Sequence, residues 1–209
     1  PPPPPTLAII LTLNLILFSL LIRGDQLTRE KILITGGCGA IGSQLVKSLL
    51  AKNLSSITVL DNMSSGSKLE DDPYLKTINL DIADSEKMAS FFESYEPDVI
   101  YHLAAHFANQ NSVDHPVSDV QTNIIGMINL FECQKHNNKL KKIVYCSSSC
   151  VYGDQTVMKE SDSVIPFETP YAINKYVGEL YCKYYNSMYQ IPVVSVSYTH
   201  LTLPTNREV

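Results

Sequence analysis

Apolar residues recur along this chain in two alternating rhythms. Short β-branched runs at residues 31–35, 57–60, 77–80, 99–103, 143–146 and 193–196 read as strands, and their consecutive apolar positions suit strands covered on both faces. Stretches with helical spacing lie between them. The clearest, 118–136, puts Val120, Ile124, Met127, Ile128 and Phe131 on one face. Such alternation predicts right-handed β-α-β crossovers and an α/β fold, a doubly wound parallel sheet with helices on both faces. No internal repeat of fixed period interrupts it.

The same pattern divides the chain into a leader (1–30), the alternating domain (31–196) and a tail (197–209). In the leader, PPPPPTLAIILTLNLILFSLLIRG, residues 7–22 are apolar apart from Thr12, Asn14 and Ser19. As a helix that run would rise about 24 Å, short of a hydrocarbon core of about 30 Å. The leader has no initiating Met, no basic n-region and no A-x-A cleavage site. It is therefore expected to be sequence upstream of the true start, with an anchor through residues 7–22 as the alternative. Localisation is correspondingly expected to be cytoplasmic, with membrane contact only if the leader is real.

Composition narrows the function classes. A chain of 209 residues, 44% hydrophobic, can bury a core of ordinary size. Its net charge of -5 offers no basic field for nucleic acid, and Lys139, Lys141 and Lys142 read as a solvated loop. Five cysteines without a C-x-x-C pair suggest neither a disulfide framework nor a zinc ribbon, and fit a reducing compartment. His102 and His106 have the spacing of a metal pair but flank a strand end, with no Cys or carboxylate at ligand spacing. No metal is expected.

The candidate chemistry begins at LITGGCGAIGSQL (33–45). Gly36, Gly37, Gly39 and Gly42 follow a strand and precede a helix that begins near Ile41 and runs through Leu45, Val46, Leu49 and Leu50. Glycine serves where the backbone turns with positive φ, where a pyrophosphate approaches the main chain, and where helix packs on strand. The N–H groups at the helix start then bind the anion. Asp61 ends the second strand, 25 residues after Gly36, where an acid accepts hydrogen bonds from an adenosine ribose. A carboxylate there repels a 2'-phosphate and no arginine adjoins it, so NAD is favoured over NADP.

A second constellation is PYAINKYVGE (170–179). Pro170 suits a helix start, which places Tyr171 and Lys175 one turn apart on one face. A free phenol has a pKa of about 10. A neighbouring ammonium and a positive nicotinamide are both expected to lower it. Ser147, Ser148 and Ser149 end a strand at the carboxyl edge of the sheet, where a hydroxyl can hold the oxygen that Tyr171 deprotonates.

Taken together, TGGCGAIGS (35–43), LDN (60–62), LDI (80–82), HLAAHFANQNSVDHP (102–116), TNIIGMINL (122–130), SSSCVYG (147–153) and YAINK (171–175) resemble the extended short-chain dehydrogenase/reductases, specifically the NAD-dependent nucleotide-sugar epimerases and dehydratases. The resemblance covers about residues 31–196 and implies a Rossmann sheet. It implies Ser148, Tyr171 and Lys175 as the catalytic residues. It further implies a cofactor site from Gly36, Gly39, Ala40, Ile41, Gly42, Asp61 and Asn62, with Asp81 and Ile82 at the adenine. Leu103, Ala104 and Ala105 would lie beside the cofactor, Asn123 near its nicotinamide half, and Lys175 at its ribose.

Dehydratases of the family carry Asp-Glu after the catalytic Thr, and its decarboxylases usually keep the Glu, but here Ser149 and Cys150 stand at those places. The resemblance therefore favours 4-epimerisation of a UDP-glucose-like nucleotide sugar, in which the C4 hydroxyl is oxidised and hydride returns to the other face. A 4,6-dehydratase or decarboxylase, and a non-catalytic NAD-binding module, are the alternatives. In SYTHLTLPTNREV (197–209) the chain departs from the family pattern. That tail is expected to be non-native and the C-terminal substrate lobe to be largely missing, so that the truncated chain itself lacks activity. Family members pair through the helix bearing Tyr171, so the full-length protein is expected to be a homodimer.

Overall fold

The computed structural model describes residues 29–53, 55–107, 109–153 and 165–197. The apolar leader segment 7–22 and residues 198–209 of the tail lie outside the described residues. Six parallel strands, β1 (Glu30–Thr35), β2 (Ser55–Asp61), β3 (Leu75–Asn79), β4 (Val99–His102), β5 (Lys142–Cys146) and β6 (Val193–Val196), form one sheet in the order β3-β2-β1-β4-β5-β6. The order reverses direction between β1 and β4, the switch point at which such sheets open a crevice beyond their carboxyl ends.

Both faces of the central strands are buried, as their unbroken apolar runs require. Ile32 and Ile34 of β1 pack with Val59 and Tyr101 against helix α1 (Ala40–Lys52), through Leu45, Val46 and Leu49. Leu33, Ile100 and Ile143 face the opposite layer. There they meet Met127, Leu130 and Phe131 of α5 (Met127–Gln134) and Cys182 and Tyr185 of α6 (Pro170–Tyr189). The rings of Phe131 and Tyr185 stack 4.7 Å apart at 7°. Each large apolar side chain so buried stabilises the fold by about 1.5–3 kcal/mol. Helix α2 (Ser85–Glu93) begins where Asp84 accepts from Lys87 N at 3.0 Å and adds Met88 to the same layer.

The stretch expected as one helix over 118–136 is three pieces. After a separate short helix α3 (Asn109–Asp114), these are the end of α4 (Pro116–Val120), a π-helical turn, Gln121–Gly126, and α5, which continues from it. A π turn holds an extra residue. Upstream of it the inward position therefore falls on Asp119, and Val120 is exposed, contrary to its place on the predicted apolar face.

Helix α6 starts as its sequence suggests. Thr169 accepts from Ala172 N at 3.2 Å and Pro170 occupies the first turn, where its missing N–H costs nothing. Among the described residues no helix is long and apolar enough to cross a membrane.

Candidate active site

At the carboxyl ends of β1, β2 and β4 a cleft is lined by Gly36, Gly39, Asp61, Asn62, Asp81, Ile82, Leu103, Ala104 and Ala105, all expected there from the sequence. His106, Thr122, Ser64 and Ser65 line it too and were not expected. Gly36 has φ +70°, and a Cβ on it would stand 2.6 Å from Ala104 N, so the loop itself demands glycine. Gly39 is different. Its φ of -72° suits any residue and the nearest atom to a Cβ would be Gly36 O at 3.4 Å. The cleft wall is thus bare at Gly39 for no reason internal to the fold.

Gly39 also caps α1 without any side-chain hydrogen bond, which leaves the N–H groups of its first turn directed at the cleft end. Asp61 secures the loop from the other side: its Oδ2 accepts from Cys38 N at 2.9 Å and its Oδ1 from Met63 N at 2.8 Å. Asp81 is held in the same way, by Asn62 Nδ2 at 3.0 Å and Ala83 N at 2.9 Å. Burial, and next Asp61, push the Cys38 thiol up to about 11, so it stays protonated and inert.

A bare backbone, orphan N–H donors and a carboxylate at the end of β2 together fit a dinucleotide with an unmodified adenosine ribose. The remaining expected cofactor residues are set back from this cleft. Ala40 borders a neighbouring hollow, Ile41 packs on the α1 core and Gly42 is buried against the loop. Asn123 lies buried in the π turn, where its Oδ1 accepts from His106 N at 3.1 Å and its Nδ2 donates to His106 O at 3.2 Å. Asn123 therefore shapes the 103–106 wall from behind.

Tyr171 and Lys175 meet Ser148 past the end of β5. Ser148 Oγ accepts from Cys150 N at 3.3 Å, starting the 3-10 turn Ser149–Tyr152, and its hydroxyl stands near enough to the Tyr171 phenol to pull that group's pKa down. The first turn of α6 is pinned by Ser112, whose Oγ accepts from Tyr171 N at 3.1 Å. Phe107 sets its ring edge-on to Tyr171 at 6.0 Å. Lys175 is buried, donates to Cys146 O at 2.9 Å and lies 5.7 Å from the centre of the Tyr171 ring.

This geometry corrects one expectation. Burial, and then Cys146, push the Tyr171 phenol above its ordinary range, and among the described residues the Ser148 hydroxyl opposes them. Lys175 does not offset it, because its ammonium is directed at the Cys146 carbonyl, and burial in turn pulls Lys175 down. The His102 and His106 pair diverges. His102 Nδ1 is 2.7 Å from Thr35 Oγ1, whereas His106 Nε2 is 3.1 Å from Asn111 Nδ2.

The sequence matches the model of the NAD dependent epimerase/dehydratase family over residues 32–209. A putative UDP-glucose 4-epimerase of Methanocaldococcus jannaschii is 36% identical over 173 residues, 81% of this chain and 55% of that protein. Among solved structures, a UDP-glucose 4-epimerase of Thermus thermophilus in complex with NAD superposes with a TM-score of 0.72 at 31% identity. It covers 80% of this chain and 54% of that one. The Thermotoga maritima UDP-glucose 4-epimerase with UDP-glucose gives 0.74 at 32% identity, covering 80% and 55%. The chain spans about half the length of the relatives it matches.

Proposed function

The chain belongs to the NAD dependent epimerase/dehydratase family, and from that premise we propose that the protein is an NAD-dependent nucleotide-sugar 4-epimerase of the UDP-glucose type. The observation that carries the reading is the meeting of Ser148, Tyr171 and Lys175 beside a cleft that suits the cofactor, with Ser149 and Cys150 where water elimination would need carboxylates. NAD supplies the hydride acceptor and, when oxidised, a positive ring. With the positive nicotinamide ring bound and lowering the phenol against its burial, Tyr171 Oη would take the proton of the sugar 4-hydroxyl and Ser148 Oγ would hold the same oxygen. Lys175 would hold the nicotinamide-side ribose and contribute positive charge. Asp61 would accept from the adenosine ribose, with Asp81 and Ile82 at the adenine, and the first turn of α1 would face the pyrophosphate.

Tyr171→Phe is expected to lower UDP-galactose to UDP-glucose turnover by about 10² or more, the scale of a lost general acid-base group, while NADH still binds. Near-normal turnover in the variant would sink the assignment. A parent protein that binds NADH but converts no UDP- or dTDP-sugar would favour the non-catalytic module.

The reading extends to a homodimer through α6. Ile173, Leu180 and Tyr184 lie exposed along one side of that helix at i, i+7 and i+11. Leu180→Glu is expected to convert a sedimenting dimer to monomer, and a parent that is already monomeric removes this part of the proposal.

A further inference from the structure

Asp119 is wholly buried in α4, and its two carboxylate oxygens have different surroundings. Oδ1 accepts from Asn174 Nδ2 at 2.6 Å. Oδ2 has no hydrogen bond and stands 3.6 Å from His106 Nδ1, a buried ring nitrogen that is unbonded as well. A buried carboxylate oxygen without a donor is costly, and so is a buried ring nitrogen without a partner. A charge-assisted N–H···O bond spans about 2.7–2.9 Å, so a ring movement of less than about 1 Å satisfies both.

That bond needs the His106 proton on Nδ1, and the far side of the ring puts it there. Asn111 Nδ2 lies 3.1 Å from His106 Nε2 and also donates to Phe107 O at 3.0 Å. A carbonyl oxygen only accepts, so the Asn111 atom between the two is the amide nitrogen, a donor to both. Nε2 is then the bare, accepting nitrogen, and the proton resides on Nδ1, facing Asp119. A free histidine side chain favours the opposite form, with the proton on Nε2, so this ring reports on its surroundings.

The backbone of His106 is held separately, by Asn123 at both its N–H and its carbonyl. The residue lines the cleft beside Leu103, Ala104 and Ala105. Asn174 stands in α6 between Tyr171 and Lys175. Asp119 therefore bonds through one oxygen to the helix of the candidate catalytic residues and faces, with the other, a residue of the cleft wall.

We propose that Asp119 is a positioning residue: it accepts from His106 Nδ1–H, orients that ring in the cleft wall, and ties the wall through Asn174 to the helix that carries Tyr171 and Lys175. The consequence for the cofactor rests on the proposed function, but the orientation of the ring does not.

The test is a long-range proton–nitrogen correlation NMR spectrum of ring-labelled histidine in the full-length protein without substrate or cofactor. It is recorded on the alkaline side of the ordinary histidine range and assigned with His106→Gln. The parent is expected to show His106 protonated at Nδ1, and a proton on Nε2 alone overturns the proposal. Asp119→Asn keeps an acceptor for Asn174 and turns an amide donor toward Nδ1, so the proton is expected to move to Nε2. NADH affinity in that variant is expected to fall by about threefold or more, the scale of one lost hydrogen bond. A purely structural Asp119 would lower the melting temperature in both Asp119→Asn and Asn174→Ala and leave the proton in place, which overturns the proposal, as does parent-like NADH affinity beside a moved proton. Should Asp119→Asn fail to fold, Asn111→Ala decides, because it removes the donor to Nε2 and leaves Asp119 in place. A proton kept on Nδ1 then supports the proposal, and one moved to Nε2 overturns it. The proton is located without NADH or epimerisation, so a parent that fails to bind NADH or to epimerise and a ring that is not oriented by Asp119 remain separate results.

Discussion

Gly36 and Gly39 stand three residues apart and are required for different reasons. Gly36 adopts φ +70° with Ala104 N 2.6 Å from where its Cβ would stand, so a side chain there opposes folding. Gly39 has ordinary dihedral angles and open space before it, so a side chain there opposes only whatever enters the cleft. The two substitutions should therefore separate stability from binding. Gly36→Ala is expected to cost at least about 1–2 kcal/mol from the left-handed backbone alone, read as a lower urea midpoint. Gly39→Val is expected to unfold close to the parent midpoint and to weaken NADH binding by about tenfold or more, which a fluorescence titration measures. Parent-like NADH affinity in Gly39→Val would place the dinucleotide elsewhere. The sequence motif treats both glycines alike, and only the surroundings of each Cβ tell them apart.

At the scale of elements, legibility follows the range of the interactions involved. The strands were readable because β1, β4 and β5 are buried on both faces and carry unbroken apolar runs. The edge strand β3, largely open to solvent, begins two residues before its expected start at Thr77, since burial gave no signal there. The start of α6 was readable because its cap and Pro170 are local. The π turn was not: its Asn123 bonds to the His106 backbone, a contact across 17 positions that leaves no local signal. The Asp119–Asn174 pair spans 55 positions and the Ser112–Tyr171 bond 59, so neither leaves a spacing to recognise. Asp61, Tyr171 and Lys175 could be singled out as candidates from the sequence because each sits at a fixed offset from a strand end or helix start. The residues that brace them were missed because their offsets carry no pattern. Asp119 left the faintest signal, a lone acid one position from the expected apolar face.

Across the whole molecule, the stability of the sheet hinges on keeping one central imidazole neutral. His102 closes β4, bonds Thr35 Oγ1 of β1 and stacks on Tyr145 of β5 at 5.8 Å, so it ties three adjacent strands together. Burial, and then the charge of Lys175, lower it from 6.5 to about 3. The unfolded chain therefore binds a proton between those values that the folded chain refuses, and stability rises with pH across that window. The contribution is fully present above pH 6.5 and falls away as pH drops toward about 3. Between pH 6.5 and about pH 5 the loss approaches 1.4 kcal/mol per pH unit, about 2 kcal/mol in all. Carboxylates enter later. Asp84, Glu96 and Glu132 are held below their ordinary range by hydrogen bonds from Lys87, Lys139 and Lys135, so what they contribute persists until the pH has fallen below about 4. The interval from 6.5 to about 5 thus isolates the histidine. Urea unfolding at both pH values should show the parent weakened by about 2 kcal/mol, and His102→Gln, less stable at neutral pH, should show a markedly smaller difference. An undiminished difference in the variant would mean that some other group carries the acid sensitivity and that His102 accepts its proton without opening the sheet.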